Sequence, residues 1–239
     1  MKTMLLQLWL ITCLSILPSC KKEELSFSGG DIQIEVKTGQ HWLHDFPLFL
    51  GINKKNPPQF AIWIEDTNGH YISTVFATYK IAAEAWQANG GNRRKESLPH
   101  WCHQRGVVYP DGLMLPTKKQ PLTDGITGAT PKEDKTIQIT PLGLSKPFVV
   151  KAEFNHSTDF NAAFPEGAKP SDWNYSGGDK GSGQPAVVYA ATVDTDTKVI
   201  NLELLGHSSP DGSDGAIYSN LNQLTTATTI VKNITITIK

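Results

Sequence analysis

Residues 31–38, DIQIEVKT, alternate Ile32, Ile34 and Val36 with Gln33, Glu35 and Lys37. A period of two puts the apolar side chains on one face of an extended chain, which predicts a half-buried strand. Residues 60–65 (FAIWIE) and 71–78 (YISTVFAT) are β-rich runs on either side of Asp66-Thr67-Asn68-Gly69. The Asn-Gly pair supplies the positive-φ positions of a tight turn, so the two runs are predicted to form a hairpin. Residues 80–89 predict a short helix closed by Gly90-Gly91. Residues 109–123 carry Pro110, Pro116 and Pro121 and are expected to be irregular. Further strands are predicted over residues 136–140, 146–155, 184–194, 198–205 and 229–239, with a long loop over 161–183 that is rich in Gly, Pro and Asp. Short strands, frequent turns and at most one short helix predict an all-β sandwich with long loops, a single domain over residues 31–239.

The amino terminus has a different pattern. Lys2 precedes an apolar run ending at Leu17, shorter than the roughly 20 residues a membrane-spanning helix needs. It has the length and basic flank of a signal-peptide core, which assigns residues 1–19 to a removable signal. The sequence Leu17-Pro18-Ser19-Cys20 resembles the bacterial lipobox, with Pro18 in place of the usual small residue. That resemblance makes Cys20 the lipidated residue and residues 20–30 its lipidated start and polar tether. Lys22-Glu23-Glu24 resembles the Lys-acidic-acidic tag of surface-displayed lipoproteins in the Bacteroidetes group. It reads equally as a solvated tether. The expected location is the outer membrane, on its periplasmic face or the cell surface.

Charge narrows the classes of partner. With 22 basic and 23 acidic residues the formal net charge is −1, so no basic excess points to nucleic acid. Of three cysteines, Cys13 leaves with the signal and Cys20 is acylated. Cys102 remains as the one possible free thiol, which rules out an internal disulfide or a paired-cysteine metal knuckle.

Several segments recur in a recognisable order: PQFAIWIEDTNGHYISTVFAT, LPHW at residues 98–101, DGITGAT, FNHSTDFN, GQPAVVYAATVD, ELLGH, and LTTA at residues 224–227. This order resembles a family of predicted periplasmic proteins described as a domain of unknown function, over roughly residues 31–239. The resemblance implies an immunoglobulin-like antiparallel sandwich. It also implies a setting beside flavin transferases and PepSY-type membrane proteins, where envelope electron transfer takes place.

Residues 124–130, DGITGAT, fit the pattern Asp-x-x-Ser/Thr-Gly-Ala-Ser/Thr. With average residue usage such a match arises by chance, in a chain this long, with odds on the order of one in a thousand. The segment resembles the flavinylation site of the FMN-bearing subunits of sodium-pumping NADH:quinone reductases, in which a magnesium-dependent transferase esterifies the last hydroxyl with FMN. The resemblance implies that Thr130 is the acceptor, that Gly128 and Ala129 keep the approach uncrowded, and that Asp124 and Thr127 are recognition positions. Lys118, Lys119, Lys132, Glu133, Asp134 and Lys135 flank the segment, which predicts an exposed loop. Asp-Gly and Thr-Gly are also ordinary turn residues, so a simple strand connection is the competing reading.

Weaker constellations remain. His100, Cys102 and His103 surround Trp101, and His41 and His44 flank a second Trp beside Asp45. These residue types suit copper or zinc, but their spacing matches no structural zinc pattern, and ordinary surface or core histidines are the preferred reading. Residues 211–215, DGSDG, lack the closing Glu of a calcium loop and read as a turn. Trp173 and Tyr175, with Asp159 and Asp172, either bind a glycan or flavin ring or pin the long loop; pinning is preferred. No strained-turn serine or nucleotide-binding glycine loop appears. The leading expectation is a flavinylated electron carrier rather than a free-standing enzyme. The alternatives are a cofactor-free accessory sandwich and a metal-binding periplasmic protein.

Overall fold

The alternation in residues 31–38 becomes strand β1, Ile32–Thr38, whose Ile32, Ile34 and Val36 are buried while the residues between them stay half-exposed. The computed structural model describes residues 31–48, 50–86, 93–140, 144, 147–194 and 197–239. The expected signal, Cys20 and the tether lie outside the described residues.

After β1 come β2 (His44–Pro47), β3 (Asn53–Asn56), β4 (Gln59–Glu65), β5 (Tyr71–Thr78) and a single helical turn, α1 (Tyr79–Ala82). A short helix, α2 (Pro99–Arg105), precedes β6 (Ile126–Gly128), β7 (Lys135–Ile139), β8 (Phe148–Asn155) and β9 (Val187–Val193). Strands β10 (Val199–Asn201), β11 (Glu203–His207) and β12 (Val231–Ile238) complete the fold. They make a four-stranded sheet, β10-β12-β1-β7, and a six-stranded sheet, β11-β9-β8-β4-β5-β6, with β2 and β3 paired as a separate hairpin. This is the expected all-β, antiparallel sandwich. Among the strands named here, β6 departs from it, lying parallel to β5.

The sheets meet over an apolar core in which the ring of Phe60 stacks on Phe76 and Phe154, with centroids 5.1 and 5.0 Å away. Strand β4 is buried on both faces. Its second face, with Ala61 and Trp63, carries another apolar cluster completed by Ile81, Leu98, Trp101, Cys102, Leu115 and Leu122. The molecule therefore has three layers: two sheets and a cover of α2 and proline-rich irregular chain.

Several expected elements changed. The helix predicted over residues 80–89 is the turn α1 and nothing longer as far as residue 86; residues 87–89 lie outside the described residues. The strand predicted over 198–205 splits at Leu202, so that β10 joins one sheet and β11 the other.

The ends of the sandwich differ. At one end Asp31 accepts a hydrogen bond from the Lys239 amide, 2.7 Å. At the other lie Thr38 at the end of β1, and Gln59, Thr78 and Asn155, these last three joined by Thr78 Oγ1 donating to Gln59 Oε1 at 2.8 Å and by the pairing of Gln59 with Asn155. Every element considered below as a site belongs to this second end or its flank.

Candidate functional site at the Thr130 end

The segment expected to be an exposed loop is the edge of a sheet. Strand β6 pairs Ile126, Thr127 and Gly128 with Phe76, Ala77 and Thr78. Its glycines are seats for packing. A Cβ at Gly125 would lie 2.8 Å from the Thr74 carbonyl oxygen, and one at Gly128 would lie 3.2 Å from the Phe76 ring.

Asp124 is tied into the fold. Its carboxylate accepts the Tyr71 hydroxyl and sits 3.6 Å from the Arg105 guanidinium, too long for a hydrogen bond but an ion pair. Its backbone carbonyl accepts Ser73 Oγ at 3.1 Å. Arg105 in turn lies over the Trp101 ring, 5.0 Å from its centroid. Burial first, and then the negative charge of Asp124, push the Tyr71 phenol above its ordinary range.

Beyond β6, Ala129 is exposed and Thr130 half-buried. The Thr130 hydroxyl meets the Gln59 amide, with Nε2 donating at 3.2 Å. Pro131 accepts the Trp42 indole N–H at 3.1 Å, which fixes the chain just past Thr130. Thr127, the middle residue of β6, borders a groove of about 320 Å³ with Tyr79, Ala82, Ala83, Lys118, Pro121 and Leu122. The Leu122 amide donates to the Ala82 carbonyl at 2.8 Å and holds the two walls together. Tyr79 stands 53 % exposed on that groove.

A second, smaller space of about 20 Å³ lies nearby, between His44, Gln59, Lys80, Trp86, His156 and Ser157. It has room for about one water molecule. The rings of His44 and His156 are 5.3 Å apart, and His44 Nδ1 is 3.7 Å from Asp159 Oδ1. His156 Nε2 donates to the His41 carbonyl at 2.9 Å, and burial pushes its pKa down to about 3, so it is neutral. These histidines are packed and hydrogen-bonded as a structural cluster.

The triplet suggested as a metal site is not gathered as ligands. His100 uses both ring nitrogens: Nδ1 donates to the Gly215 carbonyl at 2.6 Å, leaving Nε2 to accept from Lys151 Nζ at 3.1 Å. Cys102 points into the second apolar cluster, where burial pushes its thiol up to about 12. His103 packs beside Gly215. Among the described residues no group of three or more His, Cys, Asp or Glu is placed to hold a metal ion. Residues 211–215 form the expected turn, with Asp211 accepting from the Ser213 amide at 3.0 Å. Trp173 rests edge-on against buried Phe164, 5.7 Å between centroids, while staying 64 % exposed.

Sequence reasoning missed a buried polar network beneath α2. Glu153, with no exposure, accepts the backbone N–H groups of His100 at 3.2 Å and Trp101 at 2.8 Å, together with the Ser208 hydroxyl. Glu65 accepts the Trp63 indole N–H at 2.7 Å and pairs with Lys151 at 2.9 Å. An acidic residue in each of two largely apolar strands, Glu65 in β4 and Glu153 in β8, was the available signal.

Comparison with protein-family models, with curated proteins and with solved structures finds no match to this chain. Among the described residues no helix is long and apolar enough to cross a membrane.

Proposed function

We propose that this chain is a lipid-anchored electron carrier of the bacterial envelope, with FMN joined to Thr130 by a phosphoester bond. The observation that carries the reading is that Thr127 of the same motif borders the 320 Å³ groove. That groove is at the lower end of the size of small-molecule sites, about 300–1,000 Å³. Its wall offers an aromatic face at Tyr79, apolar surface at Leu122 and Pro121, and a cation at Lys118. These side chains suit a planar heteroaromatic ring that carries polar edges. The acceptor hydroxyl lies three residues further on, half-exposed, and its neighbour Ala129 leaves the approach open.

When bound, the flavin supplies the electron transfer itself. The chain's own part is to hold the Thr130 hydroxyl against Gln59, three residues on from the groove wall at Thr127, and to cover one face of the ring. A flavin transferase would load the carrier, and a PepSY-type membrane protein is the proposed electron partner. Lipid at Cys20 would hold the domain to the outer membrane, on either face.

The test is co-expression of residues 20–239, carrying Cys20→Ser, with an active flavin transferase. In-gel flavin fluorescence is expected for the wild type and not for Thr130→Ala. A dark wild type, with a positive-control substrate labelled in the same cells, contradicts the proposal.

One observation favours a second reading, a cofactor-free accessory sandwich. Asp124 is engaged by Tyr71 and Arg105, so a structural role alone accounts for the first residue of the motif. The same experiment separates the two.

A further inference from the structure

The described residues of the β2–β3 hairpin end, Pro47, Leu48, Leu50, Gly51 and Ile52, carry no polar side chain. Leu48 is 50 % exposed, Leu50 90 % and Ile52 52 %. The backbone closes on itself where the Leu48 amide donates to the Ile52 carbonyl at 2.9 Å. Leu50 and Gly51 turn the chain with φ of +53° and +73°. A leucine rarely adopts that conformation, and here it leaves the side chain standing out from the tip. Directly behind the tip, Lys54 and Lys55 are exposed, with Lys55 3.0 Å from Asp45. Lys80 lies close enough to Lys54 for the two positive charges to repel.

Exposed apolar side chains grouped in this way mark an interaction site. A groove on a folded partner would need polar groups to set orientation, and the tip offers none. A bilayer interface accepts any convex apolar shape, requires that the inserted backbone be satisfied internally, and rewards basic residues at headgroup depth. We propose that the hairpin is a membrane-insertion finger: Leu48, Leu50 and Ile52 enter the acyl boundary of an anionic phospholipid surface, and Lys54 and Lys55 meet its headgroups.

The tether from Cys20 to Asp31 spans at most about 36 Å when extended. Strand β1, between Asp31 and the hairpin end, covers about 23 Å. Lipid anchor and finger can therefore occupy one bilayer with the sandwich leaning along it. That posture turns the Thr130 end toward the membrane. The finger itself depends on none of the flavin chemistry.

Both apolar cores are built from residues between Ile32 and Ile236, so unlipidated residues 20–239 with Cys20→Ser keep the whole fold. This protein is to be sedimented with vesicles of phosphatidylethanolamine and phosphatidylglycerol, and with vesicles of phosphatidylcholine alone. Binding to the anionic vesicles is expected, weaker by about tenfold on phosphatidylcholine. Combining Leu48→Ser, Leu50→Ser and Ile52→Ser is expected to lower the partition coefficient about a hundredfold or more, with an unchanged urea midpoint as the control for folding. Leu50→Cys labelled with a polarity-sensitive dye should shift to the blue on the anionic vesicles; buried Cys102 stays unlabelled. The proposal is overturned by a wild type that ignores both vesicles, by a triple variant that binds as well as wild type, or by binding without a dye shift. A tip-dependent dimer in sedimentation velocity, without vesicle binding, would assign the hairpin to a second copy and equally overturn it.

Discussion

Glu153 sits without exposure between β8 and α2, and burial raises its pKa from the ordinary 4.5 to about 7. The folded protein therefore holds a proton there that the unfolded chain has released between those values. The contribution to stability is full below pH 4.5 and is lost as pH rises through 7, by on the order of 3 kcal/mol. His156 has the opposite sign, since its pKa is lowered from 6.5 to about 3. Its contribution is full above pH 6.5 and is lost as pH falls toward 3. Glu153→Gln sets an amide N–H₂ against backbone donors and should destabilise the protein by about 2 kcal/mol near pH 5. Urea midpoints measured against pH should show that deficit shrinking toward pH 8, whereas a deficit that grows with pH would contradict the assignment. Asp124→Asn removes the charge facing Arg105 and should cost about 1–3 kcal/mol in the same assay. Asp124 would then be a structural residue whether or not it is also read by a transferase. Native Cys102 should resist thiol reagents until the chain unfolds; labelling followed by mass spectrometry checks this.

Among the elements, the strands with clean alternation or a marked hairpin turn were legible from sequence: β1, β4 and β5 lie within a residue of expectation. Helix α2 was not, because its amino-terminal N–H groups are capped by Glu153, more than fifty residues away in sequence. Leu98 at the cap offers no side-chain acceptor. Two local signals did exist, Pro99 at the first turn and Gly106 at φ +64° just past the end. Gly106→Ala is accordingly expected to lose about 1 kcal/mol in urea unfolding. Strand β6 was hidden by its composition. Thr127-Gly128 reads as a turn, and only Phe76 and Thr74 across the pairing explain why glycine is needed beside them. The β2–β3 hairpin escaped notice because Asn53, Lys54, Lys55 and Asn56 have no apolar period. Residue types marked out residues 124–130 along the chain, while their standing as a sheet edge depended on strands far away in sequence.

At the scale of the whole molecule, the start of β1 and the Thr130 end lie at opposite poles of the sandwich. Thr130, the groove bordered by Thr127, the histidine cluster and the apolar finger gather at the pole away from Asp31. A tether alone would leave that pole facing away from the anchoring membrane; the finger would bring it back. In the proposed arrangement the lipid would limit diffusion and the fold would set which surface a partner meets. The central functional claim is the ester at Thr130, and tryptic mapping tests it directly. Cleavage after Lys119 and Lys132 releases residues 120–132, which contain the entire motif. In protein made with an active transferase, this peptide should carry the mass of FMN less one water, with fragment ions that place it on Thr130. An unmodified peptide beside a fully labelled control substrate, or an adduct on Thr127 or Thr123, would contradict the account.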